Sequence, residues 1–282
     1  MSEHPDPADV PIHPAATVML IRDPDPAQDR GVAGAGSTGV EVFMLRRTTK
    51  AAFGAGMMVF PGGRVDDADG AADVAACCTG LDDRSASERL GLPSGGLAYW
   101  TAVVRESFEE AGVLLARPRA GGRPTIGADD RRRVHDGELS MAELCARDDL
   151  VMDLSGIHYI DHWVTPLGER RRFDTRFFLA EVPPGQDLLH DDKETVDSLW
   201  IRPAEALEMY EDQRMTMMPP TILNLGRLAD YRSVAHGLEV AMASDRPAPI
   251  QPYLRHDADG RVTGVSLPWD DDYESLGGTP PY

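Results

Sequence analysis

Three glutamates lie close together in the segment from Arg105 to Val113, and their spacing points to one kind of chemistry. On a helix, Glu106, Glu109 and Glu110 fall on one face within an arc of about 100°. Like charges at this spacing destabilise an isolated helix by roughly 0.2–0.5 kcal/mol per pair, and a bound cation would offset that repulsion. Hard divalent ions such as Mg²⁺ and Mn²⁺ prefer oxygen ligands. The segment therefore predicts a divalent-cation site, with a solvated acidic face as the alternative.

The helix that carries these glutamates is the most clearly predicted element of the chain. Residues 98–111 have an apolar stripe opposite the glutamates, and Gly112 stands where a left-handed C-cap belongs. The stripe consists of Leu97, Thr101, Val104, Phe108, Ala111 and Leu115. One face of the helix is therefore expected to pack on a sheet while the carboxylates converge on the other.

A glycine turn upstream completes a recognisable motif. The apolar run at 57–60 stops at Pro61-Gly62-Gly63, and the helix later brings Arg-Glu-Ser-Phe-Glu-Glu-Ala-Gly-Val. Together they resemble the Nudix box, G-x5-E-x7-R-E-U-x-E-E-x-G-U, in which U is a bulky apolar residue. The second half matches at every specified position from Arg105 to Val113. On these residues the chain is identified as a member of the Nudix family.

The box of this chain is interrupted by an insertion at about 64–97. The step from Gly63 to Arg105 is 42 residues where the pattern has 14, so 28 residues are added. Counting back from Arg105, the first glutamate of the box falls at Leu97 and is missing. Three acidic residues behind the turn are candidates to replace it: Asp66, Asp67 and Asp69.

The resemblance implies hydrolysis of a diphosphate bond in a nucleoside diphosphate that is linked to another moiety. It implies that Glu106, Glu109 and Glu110 bind Mg²⁺ or Mn²⁺ together with the carbonyl of Gly63. It also implies that Arg105 ties the helix to the loop by ion pairing. Divalent ions neutralise the negative charge of the diphosphate and lower the pKa of bound water.

The general base and the substrate contacts follow less directly from the motif. In some family members the base is a box glutamate, here Glu109 or Glu110, and in others it is a distant acidic residue, for which Glu194 is the candidate. Four residues are candidates for contacting substrate: Gly62, Arg46, Arg172 and Arg176. For Arg176, which lies within an aromatic strand, an ion pair is an equal alternative.

The split box further resembles the branch of the family typified by the peroxisomal coenzyme A and acyl-coenzyme A diphosphatase of animals and its bacterial relatives. This similarity covers most of residues 14–240. It favours coenzyme A or acyl-coenzyme A as substrate. The alternatives are the same chemistry on ADP-ribose, NADH or dinucleoside polyphosphates, and a Nudix nucleotide-binding module without turnover.

The expected fold class is mixed α/β, because strands and helices are intermixed without regular βαβ alternation. By resemblance it is a Nudix α/β/α sandwich with a mixed sheet, an insertion inside the box and a C-terminal helix. Strands are predicted at 16–21, 40–45, 158–164, 172–180 and 198–201, and helices after Pro203 and over 221–243. We expect a flexible arm at 1–13, one Nudix domain at 14–243, and an extended tail at 244–282.

Composition narrows the classes of partner and compartment. Lysine and arginine total 28 against 47 aspartates and glutamates, so the formal charge is −19 and a generic binder of nucleic acid or anionic membranes is disfavoured. No apolar run approaches the roughly 18 residues of a membrane span, and no secretory signal is visible. Three cysteines do not make a disulfide framework, so we expect a cytoplasmic protein. A homodimer is left open, since Nudix proteins are often dimers.

Overall fold

The computed structural model describes residues 10–24, 39–48, 54–186 and 195–278. Glu194 and most of the predicted N-terminal arm lie outside these ranges. The strands are β1 (Ile12–Arg22), β2 (Glu41–Arg47), β3 (Met58–Val59), β4 (Gly62–Arg64), β5 (Cys78–Thr79), β6 (Arg117–Pro118), β7 (Leu150–Asp153), β8 (Ile157–Val164), β9 (Arg172–Glu181), β10 (Thr195–Ile201), β11 (Tyr253–His256) and β12 (Val262–Ser266). The helices are α1 (Ala72–Ala76), α2 (Asp83–Leu90), α3 (Leu97–Ala111), α4 (Ala128–His135), α5 (Met141–Arg147), α6 (Pro203–Glu211), α7 (Pro219–Ala229) and α8 (Val234–Ala243). Within the described ranges, no helix combines the length and apolarity that crossing a membrane requires.

A seven-stranded mixed sheet forms the centre of the molecule. Its main path runs β10-β2-β1-β9-β8, with β3 paired to β2 and β4 paired to β1. The pairing of β1 with β9 is parallel and the other pairings are antiparallel. Ile12 pairs with Arg172, so β1 begins within the predicted N-terminal arm and four residues before the predicted strand. Pairing with β9, which sequence periodicity does not report, extends β1 at this end.

Helices cover both faces of the sheet, which confirms the predicted α/β/α sandwich. Successive residues of β1 alternate between two cores, because side chains on a strand point alternately to opposite faces. Val18 and Leu20 belong to the core beneath α1–α5, and Met19 and Ile21 belong to the core beneath α6–α8. Helix α3 is the main helix on its face and buries Trp100 completely.

The inserted segment is a folded part of the α3 face. Its helices α1 and α2 contribute Val74 and Leu90 to the core beneath α3. The Asp83 carboxylate accepts a hydrogen bond from the Leu97 N–H at 3.0 Å, and Ser87 Oγ accepts one from the Gly96 N–H at 2.9 Å. Because the first N–H groups of a helix lack intrahelical partners, these contacts cap the N-terminus of α3. The insertion thus stabilises the helix that carries the three glutamates.

The C-terminal part of the chain differs from the prediction in two ways. The single helix predicted at 221–243 is two helices, α7 and α8, separated by a break at residues 230–233. At the start of α8, Ser233 Oγ accepts a hydrogen bond from the His236 N–H at 3.2 Å and caps the second helix. The prediction of an extended, weakly structured end is wrong for residues 250–278, since β11 and β12 form an antiparallel hairpin. A tail rich in proline and aspartate still folds when it pairs and packs on the rest of the chain.

Candidate active site

The glycine turn before α3 packs directly against the glutamates. The Gly62 N–H donates to Glu110 Oε2 at 2.8 Å. A Cβ on Gly62 would lie 2.5 Å from the Ala16 carbonyl oxygen, and a Cβ on Gly63 would lie 2.4 Å from Glu106 Oε1. Both distances are far below van der Waals contact. At Gly62 the obstacle is the backbone of β1, so the position requires glycine, and at Gly63 a side chain would displace the Glu106 carboxylate. The turn and the helix therefore fit together only because the Gly-Gly pair has no side chains.

Arg105 joins α3 to the loop behind the turn through a two-pronged ion pair with Asp69. Its Nε and Nη2 donate to the two Asp69 carboxylate oxygens, each at 2.9 Å. Nη2 also donates to the Arg64 carbonyl at 2.8 Å, and Nη1 donates to Glu106 Oε1 at 2.7 Å. Two parallel hydrogen bonds to a carboxylate fix direction as well as charge. Arg105 thus has the structural role that the motif implies, and it also orients Glu106.

Asp69 is the residue that replaces the first glutamate of the box. It is buried, and it lies six residues after Gly63, which is where the pattern places the glutamate when it is counted forward. The 28 added residues therefore lie between Asp69 and Arg105, and Leu97 begins α3 instead of filling a box position. Counting back from Arg105 missed this because it assumed an unbroken second spacer; counting forward would have found it.

The three box glutamates share a poorly solvated site that leaves Glu109 short of compensating charge. Glu106 is 8% exposed and Glu110 is 6% exposed. Burial raises the pKa of Glu109 from 4.5 to about 7; Arg105 opposes the rise and the charge of Glu106 adds to it. His135 of α4 lies at the same place, with its Nδ1 4.0 Å from Glu109 Oε2. The protein alone therefore does not fully stabilise the ionised form of Glu109.

The residues present fit a hard divalent cation. The donors are carboxylate oxygens, and the bare Gly63 backbone lies against Glu106 where a side chain would intervene. Within the described ranges, no three His, Cys, Asp or Glu side chains are arranged so that they could hold a metal ion by themselves. Mg²⁺ is commonly held by one or two carboxylates together with water and substrate phosphates, so a partial protein cage suits it. An incoming cation would also stabilise the ionised form of Glu109, which burial disfavours.

The glutamates line one end of a cleft of about 720 Å³. The acidic residues that line it are Asp66, Glu106, Glu109, Glu110 and Glu169. The apolar part includes Trp163, Phe177, Met218, Pro220, Leu254 and Val265. A cleft of this size that combines a charged end with an apolar wall suits a ligand with an anionic part and an apolar part.

Arg46, a predicted substrate contact, lies outside the cleft, and its neighbour Arg47 lines the cleft instead. Arg46 Nε lies 3.9 Å from a carboxylate oxygen of Asp197. Successive side chains of a strand point to opposite sides, so Arg46 and Arg47 cannot both face the cleft. The Nε of Arg47 is buried and makes no hydrogen bond within the described part of the chain. Strand periodicity implies that only one of the pair faces the cleft, but it does not identify which one.

Arg172 and Arg176, also predicted to contact substrate, point away from the cleft for the same reason. Phe173 and Phe177 of β9 line the cleft, so the two arginines beside them face the other side of the sheet. Arg176 is buried in an ion pair with Asp174 and also contacts the His162 ring, which agrees with the ion-pair alternative. Arg172 Nε donates to the Thr165 carbonyl at 3.2 Å.

Two further arginines missed by sequence reasoning line the cleft. Arg64 follows the Gly-Gly turn, and Arg171 precedes β9. Both side chains are exposed at the cleft wall, which is the position that a phosphate-binding cation needs. Of the predicted contacts, Gly62 and Gly63 do line the cleft, together with the three box glutamates.

Known proteins resemble this chain in sequence and in fold. Residues 13–228 match the family model described as the NUDT19 Nudix domain. The acyl-coenzyme A diphosphatase NUDT19 of Gallus gallus is 31% identical over 271 residues, which cover 78% of this chain and 68% of the relative. The protein of the same name from Homo sapiens is 31% identical over 264 residues, which cover 79% of this chain and 70% of the relative.

A solved structure shows the same fold. The Nudix hydrolase of Alicyclobacillus acidocaldarius is 26% identical to this chain and superposes with a TM-score of 0.67 over 86% of this chain and all of the other. The family match spans most of the chain, and all three box glutamates converge on the cleft. The chain therefore belongs to the Nudix hydrolase family and is an enzyme of its pyrophosphohydrolase class.

Proposed function

We propose that this enzyme hydrolyses the diphosphate bond of coenzyme A or acyl-coenzyme A and that it requires Mg²⁺ or Mn²⁺. One observation carries the proposal: a single cleft joins the box glutamates to an extended apolar wall. Coenzyme A has a matching division, since a nucleotide diphosphate is linked to a long, largely uncharged arm. The names of the two NUDT19 relatives support the same substrate class.

The metal ligands are proposed to be Glu106, Glu109, Glu110 and the carbonyl of Gly63. The ions, when bound, neutralise the diphosphate and lower the pKa of water. Arg105 holds Glu106 by a 2.7 Å hydrogen bond, and the Gly62 N–H holds Glu110. Both carboxylates are thereby oriented before substrate enters. Orienting them in advance lowers the entropic part of the activation barrier, because fewer groups have to be ordered during the reaction.

The substrate phosphates are proposed to bind the arginines that line the cleft, Arg47, Arg64 and Arg171. A buried arginine nitrogen that makes no hydrogen bond within the described residues, as at Arg47, gains most from an anionic partner. Water attacks one phosphorus, and the bridging oxygen leaves with the other phosphate. The proton of that water passes either to a box glutamate or to Glu194. The pH–rate profile of Glu194→Gln, compared with that of wild type, distinguishes a box glutamate from Glu194 as the base. If Glu194 is the base, the variant loses the fall in rate at low pH that protonation of the base causes.

The proposed function is tested by incubating the enzyme with Mg²⁺ or Mn²⁺ and a panel of diphosphates, with identification of each product. The panel contains coenzyme A, an acyl-coenzyme A, ADP-ribose, NADH and a diadenosine polyphosphate. We expect cleavage of coenzyme A or its acyl ester to a phosphopantetheine product. Glu110→Gln should remove turnover, whereas Glu208→Gln, which changes an exposed glutamate of α6, should not.

Three outcomes would contradict parts of the proposal. Cleavage of ADP-ribose, NADH or the dinucleotide alone would keep the chemistry and exclude the coenzyme A assignment. Full activity of the wild type in EDTA would exclude the metal requirement. Full activity of Glu110→Gln would show that the box carboxylates are not the metal site.

A further inference from the structure

The hairpin β11–β12 forms part of the apolar wall of the cleft, although it lies beyond the family match, which ends at residue 228. Leu254 of β11 and Val265 of β12 are direct partners across the hairpin. Both side chains line the cleft, and both are half-buried. Two aliphatic side chains that face a cleft and keep part of their surface in water gain free energy when a ligand covers them.

The hairpin is fixed to the catalytic domain and is well placed to serve as a wall. Ile250 continues the sheet edge, since its N–H donates to the His162 carbonyl at 2.8 Å and its carbonyl accepts from the Val164 N–H at 2.9 Å. Gly168, in the loop after β8, packs on the hairpin: a Cβ there would lie 3.1 Å from Leu254 Cδ1. These contacts place the Leu254–Val265 pair beside the end of β8.

The segment after the hairpin braces it internally. Arg255 donates two hydrogen bonds to the Asp272 carboxylate, at 2.6 and 2.7 Å, and a third to Asp270 at 2.9 Å. Tyr273 is buried, and its hydroxyl donates to the Gln251 carbonyl at 2.7 Å. A two-stranded hairpin alone is marginally stable in water, so this bracing explains how so short a unit keeps a defined surface.

We infer that the Leu254–Val265 pair binds the aliphatic chain of an acyl-coenzyme A and makes the enzyme prefer long acyl chains over short ones. The inference rests on the proposed function. The pair shares the lining of the cleft with Trp163, Phe177 and Met218. Charged residues, Glu169 and Arg171 among them, line the same cleft. An aliphatic chain suits such a wall, because every methylene that leaves water adds favourable free energy.

The test compares Val265→Ala with Val262→Ala, which makes the same change on the same strand. Val262 is 55% exposed and does not line the cleft. The ratio of kcat/KM for dodecanoyl-coenzyme A to that for acetyl-coenzyme A is measured for each. We expect Val265→Ala to lower the ratio roughly three- to ten-fold, from the loss of two partly covered methyl groups. Val262→Ala should leave the ratio at its wild-type value.

Binding measurements separate this inference from the proposed function. The Kd of dodecanoyl-coenzyme A and of acetyl-coenzyme A is measured in EDTA, where turnover is not required, for wild type, Val265→Ala and Leu254→Ala. Tighter binding of the long ester that both variants weaken would support the inference even if no diphosphate were cleaved. Equal affinity of the wild type for both esters would overturn the inference. So would Val265→Ala and Leu254→Ala variants whose ratio of the two Kd values equals that of the wild type. A variant that does not fold leaves the other variant and the wild-type comparison to decide.

Discussion

Replacing Glu109 by glutamine is expected to stabilise the metal-free enzyme, and to do so much more at pH 8 than at pH 5. The Glu109 side chain is 12% exposed. Burial raises its pKa to about 7, although Arg105 lies 3.5 Å away and opposes the rise. In the absence of a bound cation, the ionised Glu109 carboxylate therefore destabilises the folded state. Glutamine removes that charge at nearly constant volume.

The sign of the effect follows from proton binding. Between pH 4.5 and pH 7 the unfolded chain has released the Glu109 proton and the folded chain has kept it. Since the folded state binds more protons, the free energy of unfolding falls as pH rises through this window. A pKa raised from 4.5 to about 7 costs about 1 kcal/mol at pH 5 and about 3 kcal/mol at pH 8. The stability gained by Glu109→Gln should thus grow by about 2 kcal/mol between these pH values.

The assay is urea unfolding in EDTA at pH 5 and at pH 8, for wild type and variant, with the free energy of unfolding taken by linear extrapolation. Glu208→Gln, on the exposed face of α6, reports the ordinary effect of the substitution. A gain for Glu109→Gln that is the same at both pH values would refute the reasoning. So would a variant less stable than wild type at pH 8, which would mean that the pairing with Arg105 outweighs burial.

Three further predictions concern the turn and its brace. Asp69→Asn should lower the free energy of unfolding in urea by about 2 kcal/mol, because it removes one charge of a buried ion pair while Arg105 keeps Glu106 and the Arg64 carbonyl as partners. Exposed Asp67→Asn should change the free energy of unfolding by less than about 0.5 kcal/mol. Gly63→Ala should lower kcat by about a hundredfold, because the new methyl group displaces the Glu106 carboxylate. Gly226→Ala is the control, since no atom lies within 4 Å of the new methyl group. It should keep full activity and stabilise α7 by about 0.5–1 kcal/mol. Mg²⁺ should raise the Tm of wild type and of Gly226→Ala in a thermal melt but not that of Gly63→Ala; an equal rise in all three would place the cation elsewhere.

The chemistry of the site was largely predictable from the sequence because it is local. The three glutamates lie within one helix, whose 3.6-residue period alone places them on one face and the apolar stripe on the other. The Gly-Gly turn is equally visible as a local motif, although the contacts that favour glycine there are with β1 and with Glu106 of α3. The sandwich of helices on both faces of the sheet was also predicted, from the mixture of elements and the motif.

What the sequence left undecided depends on contacts between distant residues. Whether Arg46 or Arg47 faces the cleft, and whether Arg171 or Arg172 does, depends on strand register, and pairing partners up to 160 positions away in the chain set that register. A one-residue difference in register reverses every side chain of a strand. The alternation within one strand shows which residues share a face, but it does not show which of the two faces meets the cleft. Asp69 and the C-terminal hairpin acquire their roles in the same way. The sequence around Asp69 is that of an ordinary acidic loop, whereas the hairpin has a turn signal of its own at Asp259-Gly260. Only packing against Arg105 makes Asp69 a brace, and only packing beside β8 makes the hairpin a wall of the cleft.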